Sequence, residues 1–173
     1  MSRPTAILRS LTFATIVMVA GAVNSPEATA ASGSADGPTV VRVLNDSAAA
    51  FERGDLAAAS RTWSHSEALT VFEGGHVNRG WIDYRDNHLA PEMKELRDVR
   101  YRLFAVVPHV VGDTAWATFR YTISGSEVTG RTFSGTGIGT AILQREHGTW
   151  RIVHWHSTST PKPKIASPAP VAT

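Results

Sequence analysis

From Val99 to Ser157 the chain reads as almost unbroken extended structure, and no other feature limits its possible folds so sharply. Within this stretch Ala115, Ala117, Phe119, Tyr121 and Ile123 alternate with Thr114, Trp116, Thr118, Arg120 and Thr122. That period of two marks a strand with one apolar and one polar face. Gly112-Asp113 supplies a tight hairpin turn, Ser124 to Gly130 a looser one, and His147-Gly148 a third. Four strands joined by short turns form an antiparallel meander. Pro108 lacks a ladder donor, so its strand should be bulged there or lie at an edge. Between Arg131 and Arg145, Gly135, Gly137 and Gly139 share one parity. They clear side chains from one face, where the sheet can curl or another group can approach its backbone.

The last strand, Trp150 to Ser157, carries two imidazoles where a core strand usually carries aliphatics. Strict alternation puts His154 and His156 on the side of Trp150 and Ile152, ~7 Å apart.

Upstream, Val40, Leu44, Ala48 and Phe51 form one stripe of an amphipathic helix that begins around Asp36-Gly37-Pro38-Thr39. Gly54 provides a left-handed stop, and Asp55 can cap a short second helix from Leu56 to Trp63. Ala68 to Phe72 reads as a strand closed by Gly74-Gly75, and His76 to Gly80 as a loop. A third helix from Trp81 to about Leu89 ends at Pro91. Trp81, Tyr84 and His88 fall on one face of it, and Ile82 and Leu89 on another. Glu92 to Asp98 reads as a polar connection. The order α-α-β-α-β-β-β-β places the chain in the α+β class, with N-terminal helices packed on one face of a strongly curved antiparallel sheet.

The first 30 residues read as a secretory signal: Arg3 and Arg9, an apolar run from Leu11 to Val23, and the small-x-small pattern Ala28-Thr29-Ala30, with cleavage expected after Ala30. The run is shorter than the ~20 apolar residues of a membrane span. The mature protein is therefore expected to be secreted or periplasmic, with no membrane segment. Residues 31–38 read as a linker, 39–160 as the domain, and 161–173 as a disordered Pro-rich tail. Without cysteine the domain must stand on its core alone. The first 30 residues hold two Arg and one Glu, so the 17 basic and 15 acidic side chains fall to 15 and 14 in the mature chain. With no Lys/Arg run or stripe, nucleic acid is not an expected partner.

Phe51-Glu52-Arg53-Gly54-Asp55-Leu56, the strand ending in Gly-Gly, Pro108 to Ala115, and the closing run His147 to His156 together resemble the SnoaL-like, nuclear transport factor 2-like superfamily. Within it the chain looks most like the association domain of calcium/calmodulin-dependent protein kinase II and its bacterial SnoaL-like relatives. The resemblance covers about residues 39–160. It implies a cone-shaped fold with a pocket, and a homodimer formed through the open face of the sheet. It does not imply an activity, since the group includes isomerases, cyclases, dehydratases and oligomerisation modules.

In such a fold Trp81, Tyr84 and Trp116 are expected as apolar walls of a small-molecule pocket. His88, His154 and His156 are its expected polar handles, and Arg120 is an anion clamp, a solvated outer-face residue or a dimer contact. His156, with His88, is the candidate general base of a cofactor-independent isomerase, cyclase or hydrolase. No cofactor is required by this scheme. A divalent metal enters only if His76, His88 and His156 converge, with Glu73 nearby, which would make an envelope metal-binding protein. A homo-oligomerisation module is the remaining alternative.

Overall fold

The structure, a computed structural model, describes residues 35–160. The expected signal segment, its cleavage point and the tail from 161 lie outside the described residues.

Helix α1 (Gly37–Glu52) starts with Pro38 in its first turn, where a missing N–H costs nothing, and buries Val40, Val43, Leu44, Ser47, Ala48 and Ala50. Gly54 turns the chain at φ +62°, and the Asp55 carboxylate accepts a 2.8 Å hydrogen bond from the Ala58 N–H to cap α2 (Leu56–Ser60). Both features follow the local chemistry of Gly-Asp after a helix.

Strands β1 (Thr70–Glu73) and β2 (His76–Arg79) form a hairpin in which Glu73 faces His76. The loop expected over His76 to Gly80 is thus mostly strand. Gly74 and Gly75 both have positive φ, as a two-residue hairpin turn requires, and send the chain straight back along β1.

The third helix does not stop at Pro91. It runs as α3 (Trp81–Tyr84), a π-helical turn (Arg85–Leu89) and α4 (Ala90–Glu95). In the wide turn the Ala90 N–H reaches the Arg85 carbonyl. This local change of register carries the helix through a residue that cannot donate. It also turns Leu89 into the core while Ile82 stays exposed, so the two do not share a face.

Strands β3 (Leu96–Val111), β4 (Thr114–Glu127), β5 (Thr132–Glu146) and β6 (Thr149–Ser159) complete an open six-stranded sheet in the order β2-β1-β6-β5-β4-β3. The β1–β6 pair is parallel and the others antiparallel, so the sheet is mixed. Pro108 sits on the edge strand, as expected. The register of β3 shifts elsewhere, around Asp98 and Ala105, both at positive φ.

On β4 the alternation holds: Ala115, Ala117, Phe119 and Tyr121 are buried, and Thr114, Trp116, Thr118, Arg120 and Thr122 face outward. The glycines of β5 lie on the inner face, opposite those aromatics. A Cβ on Gly137 would come within 2.3 Å of the Tyr121 ring, and one on Gly139 within 2.3 Å of Phe119. The helices cover this inner face, with Val40 and Leu44 meeting Ala117, Leu143, Ile152 and Trp155 in one core.

Candidate active site

The two histidines of β6 are not where strict alternation puts them. Between β5 and β6 the pairing slips: Leu143 faces Ile152, but Ile142 faces His154. The extra residue, Val153, is a β-bulge, and a bulge exchanges the faces of everything beyond it. Trp150 and Ile152 therefore point inward before it, and Trp155 and Ser157 after it. His154 and His156 point to the outer face. His154 Nδ1 lies 2.7 Å from Thr70 Oγ1 across the parallel pair, and its ring meets Phe72. Burial and the neighbouring His156 lower the His154 pKa. His156 is exposed and shares an outer groove with Arg120, Thr118, Thr140 and Thr158. Trp116 is also outside, stacked on His109 at 5.1 Å. Trp116, Arg120, His154 and His156 thus belong to the outer sheet face and do not line an interior pocket. Trp81 is buried but stands behind Tyr84, at 6.3 Å between rings, and does not line the pocket either.

An interior pocket does exist, with a volume of about 210 Å³. It lies between α1, the third helix and the inner face of the sheet. Its walls are aromatic: Phe51, Trp63, Tyr84, Tyr101, Tyr121 and Trp155 all line it. The rings brace one another, Trp63 on Tyr84 at 4.7 Å and Tyr101 on Tyr121 at 5.5 Å, while the Trp63 indole N–H is held by Ser47 Oγ at 3.0 Å. Gly137 leaves the space that Tyr121 occupies. Burial, followed by the field of Glu73, pushes the hydroxyl pKa values of Tyr84 and Tyr101 well above the ordinary tyrosine value. These hydroxyls stay protonated and are available as donors.

Glu73 and Glu92 also reach this pocket. Glu73 ends β1, where its parallel partner Ser157 donates Oγ–H to Glu73 Oε1 at 2.9 Å. About a third of the Glu73 side chain is accessible, but protein surrounds the carboxylate. Burial raises its pKa, and the nearby Glu92 raises it further, outweighing Ser157, His88 and His76. Glu92 stands one helical turn after His88.

His88 joins the two carboxylates. The Asn78 amide donates Nδ2–H to Asp83 at 3.2 Å, which leaves Asn78 Oδ1 to accept from His88 Nδ1–H at 2.8 Å. His88 Nε2 then faces Glu92 at 3.5 Å and Glu73 at 3.9 Å. The hydrogen bond to Glu92 raises the His88 pKa against its burial, favouring the imidazolium. His76 adds a second ring 5.8 Å away.

The structure therefore brings together Tyr84, His88, His76 and Glu73, but not His156, which lies across the sheet. The three-histidine metal cluster does not form, and among the described residues no group of His, Asp or Glu side chains is arranged to hold a metal ion. Sequence reasoning missed Glu92, Asn78, Ser157, Tyr101 and Tyr121. The spacing of His88 and Glu92, four residues on one helix face, was the available signal for one of them.

Among curated proteins none matches this sequence significantly. Several solved structures share the fold. A nuclear transport factor 2-like superfamily protein from Salmonella enterica superposes with a TM-score of 0.68 at 20% identity, over 75% of this chain and 94% of that one. The association domain of C. elegans CaMKII gives 0.57 at 19% identity, over 71% and 94%. A candidate dehydratase of the nuclear transport factor 2-like family from Streptomyces avermitilis gives 0.64 at 19% identity, over 72% and 97%. At these identities the likeness concerns the fold. The model of the SnoaL-like domain matches residues 40–162, most of the chain, and the protein belongs to the SnoaL-like domain family.

Proposed function

We propose that this is an exported single-domain protein that takes a small, partly apolar molecule into the aromatic pocket beneath Glu73. The observation that carries the reading is the pocket itself, where buried aromatic walls meet convergent carboxylates and hydroxyl donors. Apolar surface with a few oriented polar groups is the usual make-up of a small-molecule site. Fluorescence titration of the mature protein with 2-naphthol tests it. Saturable quenching that is lost in Ala48→Leu, which fills the pocket from α1, supports the reading. Quenching unchanged by that substitution places the ligand elsewhere. Export is tested by the intact mass of the protein recovered outside the cytoplasm, which should begin at Ala31.

The Glu73–His88–Glu92 cluster favours a second reading, an enzyme that moves a proton without a cofactor. Glu73, not a histidine of the last strand, is then the acid–base group, because its raised pKa and its place on the pocket wall suit proton transfer. Turnover lost in Glu73→Gln and retained in His156→Ala supports it.

A homodimer through the outer sheet face completes the proposal. That face exposes Phe104, Val107, Trp116 and Ile138, and an association domain stands among the similar structures. Light scattering on the mature protein should give twice the monomer mass, and Ile138→Asp should halve it.

A further inference from the structure

The pocket is chemically one-sided. Its lining contains six aromatic side chains and two carboxylates, but no Lys or Arg. The arginine in the middle of β4, Arg120, is on the other face of the sheet. We infer that the ligand is a small organic cation, an amine or quaternary ammonium of modest size, seated among the rings with its charge toward Glu73. This deepens the small-molecule reading above and rests on it.

Three features support the assignment. Aromatic faces attract a cation through the ring quadrupole, and more strongly where water is excluded. Trp63, Tyr84, Tyr101 and Trp155 all line one cavity. Glu73 and Glu92 are two acidic groups at one end of it, close enough that Glu92 raises the Glu73 pKa. His88 supplies only one positive charge against that pair, so with both carboxylates ionised the cluster keeps a net negative charge. A bound ammonium neutralises it. A carboxylate or phosphate ligand would instead meet two carboxylates and no guanidinium. The volume of about 210 Å³ sets the scale, since it admits a trimethylammonium group with a short chain but not a large polycation.

The groups facing Glu73 also define a pH dependence. They are Glu92 from α4, His88 from the π-helical turn, His76 from β2, Ser157 from β6, and the Tyr84 and Tyr101 hydroxyls. Lowering the pH protonates Glu73 and charges His88, and both changes oppose a cation. Affinity should therefore fall steadily toward acid.

The test compares choline with its neutral isostere 3,3-dimethylbutan-1-ol by isothermal titration on the mature protein, with 2-naphthol as an uncharged aromatic control. Choline is expected to bind about tenfold more tightly than the isostere at pH 8. The ratio should collapse toward one in Glu73→Gln and shrink in Glu92→Gln, whose side chain lies at the accessible rim. Equal or tighter binding of the isostere by the wild-type protein overturns the cation assignment, and the wild-type comparison needs no variant to fold. If 2-naphthol binds and choline does not, the assignment fails while the small-molecule pocket stands. If nothing binds, both fail together.

Discussion

Ser157 on the last strand donates a 2.9 Å hydrogen bond to the carboxylate of Glu73 on the first. The two are direct partners in the one parallel pair of the sheet, so this contact fixes the acid at the wall of the pocket. The bulge at Val153 makes the contact possible. Without it Ser157 would point outward and His156 inward.

Glu73 is held at a cost. Its pKa is raised in the folded protein, so the unfolded chain loses that proton first as pH increases. Stability therefore declines as pH rises through the folded-state titration of Glu73. Glu73→Gln should raise Tm by about 2–4 °C at pH 8 and leave it nearly unchanged at pH 4. A thermal melt of both proteins at the two pH values checks this.

His88 adds to the same decline with pH, although here it is the charged form that the fold favours. Its pKa is raised, chiefly by Glu92, so its stabilisation is complete below the ordinary histidine pKa and disappears as pH rises through the folded value. Glu92→Gln removes that partner and also relieves the repulsion on Glu73. Because Glu92 is partly exposed, the loss at pH 5.5 should be no more than about 1 kcal/mol. By pH 9 the variant should equal or exceed the parent. Urea denaturation across that range should show the crossover.

Gly137 is where the sheet makes room for the pocket wall. A Cβ there would lie 2.3 Å from Tyr121 Cζ and 2.4 Å from the Thr158 carbonyl oxygen, and a backbone atom cannot swing aside. Gly137→Ala should destabilise the fold by about 2–3 kcal/mol. Gly135→Ala meets nothing nearer than 3.7 Å and should be mild by comparison. Chemical denaturation of the pair gives the contrast.

His154→Ala and His156→Ala should leave binding in the interior pocket unchanged, since both rings lie on the outer face. The Thr70 contact of His154 makes a small loss of stability its main effect. A titration in which His156→Ala alone abolished binding would move the site to the outer groove.

Much of the architecture was legible because it rests on local chemistry. The alternation from Thr114 to Ile123, the Gly54-Asp55 corner and the three turn pairs each carry their own physical reason. The candidate site was less legible, because it depends on pairing. No residue at Val153 announces a bulge; the slip exists only against Ile142 and Leu143 of the neighbouring strand. His154 and His156 changed faces with it, whereas Trp116 and Arg120 lie outside simply because the β4 alternation holds. Pro91 similarly reads as a stop, yet the helix continues past it through the π-helical turn, and Glu92 joins His88 one turn on. Tyr101 and Tyr121 read as ordinary core positions until the helices leave a space above them.

The five tryptophans offer the most direct test of where a ligand sits. Trp63 and Trp155 line the pocket, whereas Trp116 lies on the outer face. Indole N–H signals in a nitrogen–proton correlation spectrum, assigned by Trp→Phe substitution, can be followed while 2-naphthol is added. Movement of the Trp63 and Trp155 signals with Trp116 unmoved is the expected result. Movement of Trp116 with Trp63 and Trp155 fixed would contradict an interior site.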